Sequence, residues 1–320
     1  MRNHMSDRFG KVYNFHECPP LPKSLNIELN NTCNQKCIFC PYHGEHAITK
    51  LMPAMIKFEN VVKILDEAKH LGIGEKEVGF YLAGEAFLYK DLDKVVRYAK
   101  SLGFQYVFLT TNGALATPDK MKKILDAGID SIRISINAAD KETYNYLHGK
   151  DDFEVVCNNV RFMHDYIMEN KLKVATSISC VWTKKTIEIR ESFKNLFGKY
   201  VDDIIFIPVM MSWLSYDEAF WKEIQLIDDS KAEINEDFVC PMLFDTMYIN
   251  ANMQVVPCCD AYHGDISFFD LKEELNLEKA WNSEIASIYR NIFLKHTDDT
   301  ETICKNCLLR KKGLDRFLLD

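Results

Sequence analysis

The chain has 320 residues, 47% of them hydrophobic, with a net charge of −8 and eleven cysteines. That length supports one large core or a core with a smaller module. The acidic balance argues against nucleic acid as the main partner, because backbone binding needs a surplus of Lys and Arg. No apolar run of membrane length and no secretory signal pattern is present, so no membrane partner and a cytoplasmic location are expected. Clustered cysteines in odd number suit metal ligation in a reducing compartment better than a disulfide framework.

Residues 1–24 read as an irregular lead-in in which Cys18 is an ordinary free thiol. From Leu25 short apolar runs alternate with amphipathic stretches. Strands are predicted over Leu25–Leu29, Glu77–Ala83, Gln105–Thr110, Ser131–Asn137, Lys173–Val181 and Asp203–Val209. Helices are predicted between them, among others Phe58–Leu71, Asp91–Leu102 and Pro118–Ala127, the last with Thr117 as N-cap and Gly128 just past its end. This order predicts an α/β fold with parallel strands, a partial (β/α)6 barrel of TIM type, whose site lies at the C-terminal ends of the strands.

In the fourth strand Ile132, Ile134 and Ile136 alternate with Arg133, Ser135 and Asn137. An outer helix layer wants the isoleucines, which turns the polar face inward. Ser177 and Ser179 share one face of the fifth strand and Thr176, Ile178 and Cys180 the other, with alternation leaving the inward face undecided. Cys157 and Cys180 read as buried small residues.

From Met211 to Val239 the pattern is irregular. Its Trp213, Tyr216, Phe220 and Trp221 are placed either over the barrel mouth or along an exposed barrel edge. Beyond it, Phe244–Pro257 predicts a β-hairpin turning at Asn250-Ala251-Asn252, and Leu277–Leu294 has helical spacing. The expected organisation is a lead-in (1–24), a barrel (25–215), a connector (216–239) and a small C-terminal module (240–320).

Two cysteine constellations carry the chemistry. Cys33, Cys37 and Cys40 form CxxxCxxC directly after the first strand. Three thiolates on one loop suit a soft, multi-charged metal centre and are one fewer than a closed cubane of four irons needs. A position left open marks a metal that meets a substrate or cofactor. A zinc knuckle is the alternative, although zinc loops usually show two-residue gaps and a nearby partner pair. The second set is Cys240, Cys258, Cys259, Cys304 and Cys307, spread around the hairpin and helix and ending in CxxC. There a zinc tetrahedron of four cysteines is the alternative.

With Phe39 before Cys40, the first loop resembles the radical S-adenosylmethionine (AdoMet) superfamily, whose cluster loop reads CxxxCxxφC with an apolar or aromatic φ. The resemblance implies an open (β/α)6 barrel and a [4Fe–4S] cluster whose fourth iron is chelated by AdoMet. It also implies reductive cleavage to a 5'-deoxyadenosyl radical that removes a substrate hydrogen atom. Tyr81-Leu82-Ala83-Gly84-Glu85 resembles the GGEP segment, which implies that Gly84 and Glu85 hold the methionyl amine, with Ala83 and Ala86 replacing the first Gly and the Pro. Thr110-Thr111-Asn112-Gly113 looks like the TNG turn, giving Thr111 and Asn112 to the cofactor. Ser135 matches the strand-four hydroxyl that contacts AdoMet.

The C-terminal set resembles the twitch module, the short form of the SPASM domain. That resemblance implies that Cys240, Cys258, Cys304 and Cys307 ligate one auxiliary [4Fe–4S] cluster, with Cys259 as a spare for Cys258. Met253 stands where relatives often place the hairpin glycine.

In length and cysteine spacing the chain is most similar to enzymes of the twitch-bearing aminocyclitol (2-deoxy-scyllo-inosamine) dehydrogenase type. The expected reaction is therefore dehydrogenation or epimerisation of a small polyol, sugar or aminocyclitol. Peptide-modifying relatives often carry an N-terminal leader-binding domain, for which 24 residues before the first strand leave no room. Modification of a peptide or protein, of the sulfatase-maturase type or on a ribosomally made peptide, is the alternative; a non-enzymatic iron-sulfur electron carrier is a lower one. A flavodoxin or ferredoxin is the expected electron donor. His43 and His46, just after the cluster loop, and Arg133 are the candidates for the catalytic base.

Overall fold

Alternating apolar and polar positions in the strands call for a sheet covered by helices on one face, and this is how the chain folds. The computed structural model describes residues 15, 17–47, 51–209, 218–226, 233–259, 266–297, 302–305 and 307–312. In chain order it runs β1 (Ser24–Ile27), α1 (Phe58–Leu71), β2 (Glu77–Phe80), α2 (Leu92–Ser101), β3 (Val107–Thr111), α3 (Pro118–Asp126) and β4 (Ser131–Ser135). It continues with α4 (Lys141–His148), α5 (Phe153–Glu169), β5 (Ala175–Trp182), α6 (Arg190–Phe197), β6 (Asp203–Pro208) and α7 (Glu218–Ile224). The C-terminal part adds α8 (Pro241–Asp245), β7 (Thr246–Ile249), β8 (Gln254–Val256), β9 (Phe269–Asp270), α9 (Leu277–Trp281) and α10 (Glu284–Leu294). Among the described residues no helix is long and apolar enough to cross a membrane.

The strands form one sheet in the order β6-β5-β4-β3-β2-β1-β7-β8-β9, open at β6 and β9, so the barrel is partial. Strands β1 to β6 pair in parallel, each with its sequence neighbour. Ile132, Ile134 and Ile136 are fully buried, whereas Ser131, Arg133 and Ser135 are half-buried on the opposite face. Register then settles β5: Arg133 pairs with Ser177 and Ser135 with Ser179, which puts both serines on the inward face. Ile178 and Cys180 are consequently buried on the other face.

Four strands end before their predicted residues, β1 at Ile27, β2 at Phe80, β4 at Ser135 and β6 at Pro208. β2 stops at Phe80 because Tyr81–Glu85 leaves the ladder to build the mouth of the barrel. β4 stops at Ser135, and Asn137 two residues on takes a left-handed φ of 62°, which Asn tolerates better than most residues. The helical pattern over Leu277–Leu294 is two helices, because the Ser283 side chain accepts from Ala286 N–H and starts a new helix. Trp213 and Tyr216, and the side chain of Trp221, lie outside the described residues.

The C-terminal hairpin does not stand apart. β7 adds to the free edge of β1 in parallel, in register from Ser24↔Thr246 to Ile27↔Ile249, and Glu28 N–H carries the pairing on to Ile249 O (2.8 Å). An unpaired strand edge needs a partner, and this module supplies it. The hairpin turns over Asn250–Met253, closed by Met253 N–H to Asn250 O (2.8 Å) and by Asn250 Oδ1 accepting from Asn252 and Gln254. Met253 itself takes φ 60°, the conformation in which a glycine is usual. Its side chain is 8% exposed and takes a hydrogen bond at sulfur from Asn60 Nδ2 (3.3 Å).

Left-handed φ costs a non-glycine residue about 1–2 kcal/mol, and burying a Met side chain returns about 1.5–3 kcal/mol. Met253→Gly is therefore expected to lower stability by about 1 kcal/mol in urea denaturation despite relieving the backbone.

Candidate active site

The loop with Cys33, Cys37 and Cys40 leaves β1 at the C-terminal end of the strands and is held from three sides. On the first side, Asn30 Oδ1 accepts from Thr32 N–H and Oγ1–H (3.0 and 2.8 Å), while Asn30 Nδ2 donates to Glu85 O (3.0 Å). On the second, Lys36 N–H and Ile38 N–H donate to His148 O and Leu147 O at the end of α4 (3.1 and 2.9 Å). On the third, Asn112 Nδ2 reaches Asn34 Oδ1 (2.9 Å) and Cys33 Sγ (3.8 Å). The loop curls tightly: a Cβ on Gly44 would stand 2.6 Å from both Cys37 O and Cys40 O. The backbone N–H groups of Tyr42, His43 and Gly44 lie against the Cys40 sulfur, that of His43 at 3.4 Å.

The three thiols feel one another. Burial is the largest cause at each: it pushes Cys33 up to about 11 and raises Cys37 and Cys40, with the other two thiols adding to it at Cys37 and backbone N–H groups opposing it at Cys40.

Beside the loop, the ends of β2 and β3 are clamped together by Glu85. One carboxylate oxygen accepts from Thr111 Oγ1–H (2.6 Å) and Phe87 N–H (3.0 Å), the other from Asn112 N–H (2.8 Å). The residue is 3% exposed, and burial raises its pKa against the pull of those donors. Thr111 Oγ1 also accepts from Gly113 N–H (3.0 Å), so the side chains of Thr111 and Glu85 both fix backbone. Gly84 passes directly over the cluster loop, where a Cβ would lie 2.0 Å from Asn30 O.

Sequence reasoning missed His148. This last residue of α4 is 1% exposed, with Nε2 2.6 Å from Ile136 O and Nδ1 2.8 Å from Gln35 Oε1 and 3.3 Å from Cys37 Sγ. Its ring stacks on Tyr144 (4.1 Å), and burial pulls its pKa down to about 4. Phe39 meets the same ring edge-on at 6.3 Å. The only sequence signal for His148 was its place before Gly149, which ends α4 with φ 63° and packs on Lys36 O.

Of the proposed bases, His43 is held near the backbone at Ala83 and Asn31, and burial lowers its pKa. His46 lies flat on Phe220 of α7 (3.7 Å, 12°), so one of the connector aromatics covers the cluster loop. Arg133 sits half-buried on the inward face of β4, and a guanidinium does not give up its proton, so it cannot serve as a base. Ser135 Oγ is 3.1 Å from Ser179 Oγ on that face. Cys180 lies on the outer face, away from the barrel interior.

The second cysteine set gathers around α10. Burial, followed by the nearby Cys304 and Cys258 thiols, pushes Tyr289 of α10 up to about 12, so those two sulfurs share one neighbourhood. Cys304 and Cys307 are joined by a turn, Cys307 N–H to Cys304 O (3.3 Å), and Arg310 Nη1 donates to Cys304 O (3.1 Å). Cys240 caps α8, which Arg290 ties to α10 through Nε–H to Leu243 O (2.9 Å) while its guanidinium lies 3.8 Å over the Trp281 ring. All cysteines among the described residues are free of disulfides.

The sequence profile of the radical SAM superfamily matches residues 27–196, more than half of the chain. The chain belongs to the radical SAM superfamily. The profile of the SPASM iron-sulfur cluster-binding domain matches residues 240–308, which decides the second cysteine set for iron-sulfur over zinc. Among curated proteins, a probable GTP 3',8-cyclase of Saccharolobus islandicus is 33% identical over 157 residues, 49% of this chain and 46% of that protein. The chain thus spans about half the length of the curated relatives it matches.

Among solved structures, BtrN in complex with AdoMet and 2-DOIA superposes with a TM-score of 0.56 at 13% identity, over 90% of this chain and 93% of that one. Streptococcus suis SuiB bound to S-adenosylmethionine gives 0.67 at 16%, over 92% and 72%. Native anSMEcpe with bound AdoMet and the Cp18Cys peptide gives 0.61 at 16%, over 94% and 88%. These likenesses show the fold.

The radical SAM enzyme uses AdoMet, a [4Fe–4S] cluster and auxiliary iron-sulfur. The residues present fit these groups. Three mutually close thiols bear N–H donors, and such buried thiols ionise readily when a metal supplies positive charge.

Gly84→Ala would force Asn30 and the cluster loop apart. Overpacking of this kind costs about 1–3 kcal/mol, and equilibrium binding to reconstituted protein is expected to show AdoMet affinity reduced by about tenfold or more. His148→Ala would leave a cavity under Cys37 and orphan Ile136 O, and is expected to lower the stability of the metal-free protein by about 2–4 kcal/mol in urea denaturation.

Proposed function

We propose that this radical SAM enzyme acts on a small hydroxylated molecule, a polyol, sugar or aminocyclitol, and oxidises a secondary alcohol to a ketone or inverts a carbon centre. The observation that carries this reading is the closeness of the two cysteine sets. β7 lies beside β1, and Tyr42, two residues after Cys40, donates its hydroxyl to Cys259 O (3.5 Å). Two redox centres so placed suit a reaction that removes a hydrogen atom and then a further electron from one substrate, its hydroxyl proton passing to a base beside the cluster loop, for which His43 and His46 are the candidates.

When bound, the groups at the two cysteine sets supply, respectively, the electron that cleaves AdoMet into a hydrogen-abstracting 5'-deoxyadenosyl radical and an acceptor for the substrate's second electron. The chain's own residues bind, orient and seal. Cys33, Cys37 and Cys40 would hold the first centre, and Cys240, Cys258, Cys304 and Cys307 the second. The proximity of Cys258 to Cys304 at Tyr289 favours Cys258 over Cys259.

The bare backbone at Gly84 lets its turn close on Asn30, and the methionyl group would dock beside that turn. Glu85, through Thr111 and Asn112, fixes the two strand ends on either side of it. Ser135 and Ser179 offer hydroxyls to the ribose or the substrate from the inward face, and Phe39 and the Phe220–His46 stack keep water from the loop. In this reading the barrel occupies residues 25–215 and the auxiliary module 240–320, joined by 216–239. A flavodoxin or ferredoxin supplies electrons.

A peptide substrate is the second reading, favoured by the fold's likeness to SuiB and anSMEcpe.

Anaerobically reconstituted protein is expected to hold about eight irons and, once reduced, to release 5'-deoxyadenosine from AdoMet. A variant with Cys33, Cys37 and Cys40 all changed to Ala should lose about half of the iron and all cleavage. Changing Cys240, Cys258, Cys304 and Cys307 to Ala should lose the other half, retain cleavage and abolish ketone formation. A screen of polyols and aminocyclitols against peptides then decides between the readings, read as substrate-dependent 5'-deoxyadenosine.

A further inference from the structure

Glu28 directly follows β1 and is 1% exposed, yet among the described residues no Lys, Arg or His forms an ion pair with its carboxylate. Three backbone N–H groups approach it. Oε1 accepts from Ala83 (2.8 Å) and Gly84 (3.2 Å), the turn at the end of β2, and Oε2 accepts from Ala251 (2.9 Å) in the hairpin turn of the C-terminal module. Burial pushes its pKa up to about 8 against the pull of these three donors, and the donors come from two segments far apart in the chain. Ala83 and Gly84 are 55 and 56 residues away in sequence, and Ala251 is 223 away.

Both segments lead straight into functional parts. Gly84 presses on Asn30 O three residues before Cys33, and the strand after Ala251, β8, delivers Cys258. A carboxylate binding both turns ties their positions together: moving the hairpin pulls on Oε2 and rotates Oε1 under Ala83–Gly84.

We propose that Glu28 is a positioning residue that couples the Ala83–Gly84 turn, and through it AdoMet binding, to the hairpin of the auxiliary module. This rests on the reading that AdoMet docks on that turn. The coupling is reciprocal, so AdoMet binding must also steady the hairpin.

Ala251→Pro removes one N–H from this arrangement at the second position of a four-residue turn, a position that proline favours. Glu28→Gln keeps the shape of the side chain but aims an NH2 at one of the two segments. Each variant is compared with the wild type after reconstitution, with iron content and far-UV circular dichroism as checks on integrity.

AdoMet affinity is expected to fall severalfold in both Glu28→Gln and Ala251→Pro, as for loss of one buried hydrogen bond. Hydrogen exchange is expected to show AdoMet protecting the amides of residues 250–253 in the wild type and not in either variant. A correctly folded Ala251→Pro protein that keeps wild-type affinity and keeps AdoMet-dependent protection of the remaining hairpin amides would overturn the coupling. Gly84→Ala separates the two ideas. If it too leaves AdoMet affinity unchanged, the docking reading fails; if it weakens binding while Ala251→Pro and Glu28→Gln do not, the coupling alone fails.

Discussion

β1 is hydrogen-bonded on both edges, to β2 on one side and to β7 on the other, and this double pairing decides where both cysteine sets lie. A parallel strand with two parallel neighbours has all its backbone groups satisfied and both faces covered, so it cannot shift without breaking two ladders. The first cysteine loop leaves from its C-terminal end. The second set is brought alongside because its hairpin is the strand that completes β1. A single four-residue strand, buried at every position, thus sets the relation between two sites more than 200 residues apart in sequence.

Around that strand the mouth of the barrel is built from buried polar groups that bind backbone. Glu85, Glu28 and Asn30 each use a side chain to hold N–H or C=O groups of a different segment. Such groups cost stability when buried and regain it only if every lone pair finds a donor, so each fixes its segment sharply. The loops that would otherwise be the loosest parts of a β/α fold become the most constrained. A site that must hold reactive intermediates away from water benefits from that rigidity.

Much of this was legible in the sequence where periodicity or spacing speaks. The alternation of Ile132, Ile134 and Ile136 with Arg133 and Ser135 located both faces of β4, α1 falls on its predicted residues, and the cysteine spacings pointed to iron-sulfur chemistry. The inward face of β5 was not legible, because serines and small apolar residues fit either side; only the pairing of Arg133 with Ser177 resolves it. His148 and Glu28 were illegible for a different reason. Each acts on a segment far away in sequence, and nothing local distinguishes a buried His at a helix end or a Glu after a strand from its exposed counterparts. Glu85 was read as a ligand group for AdoMet, and the structure adds that its carboxylate is already engaged with Thr111, Phe87 and Asn112.

The continuity of the sheet from β1 into β7 also bears on how this chain behaves when cut. Removing the C-terminal module would strip β1 of one complete ladder and bare a row of N–H and C=O groups on a flat, apolar parallel edge. Such an edge is a template for adding another strand, and the nearest source in a concentrated solution is a second truncated chain. An isolated barrel would thus tend to self-associate along β1, and the auxiliary module doubles as a built-in guard against aggregation.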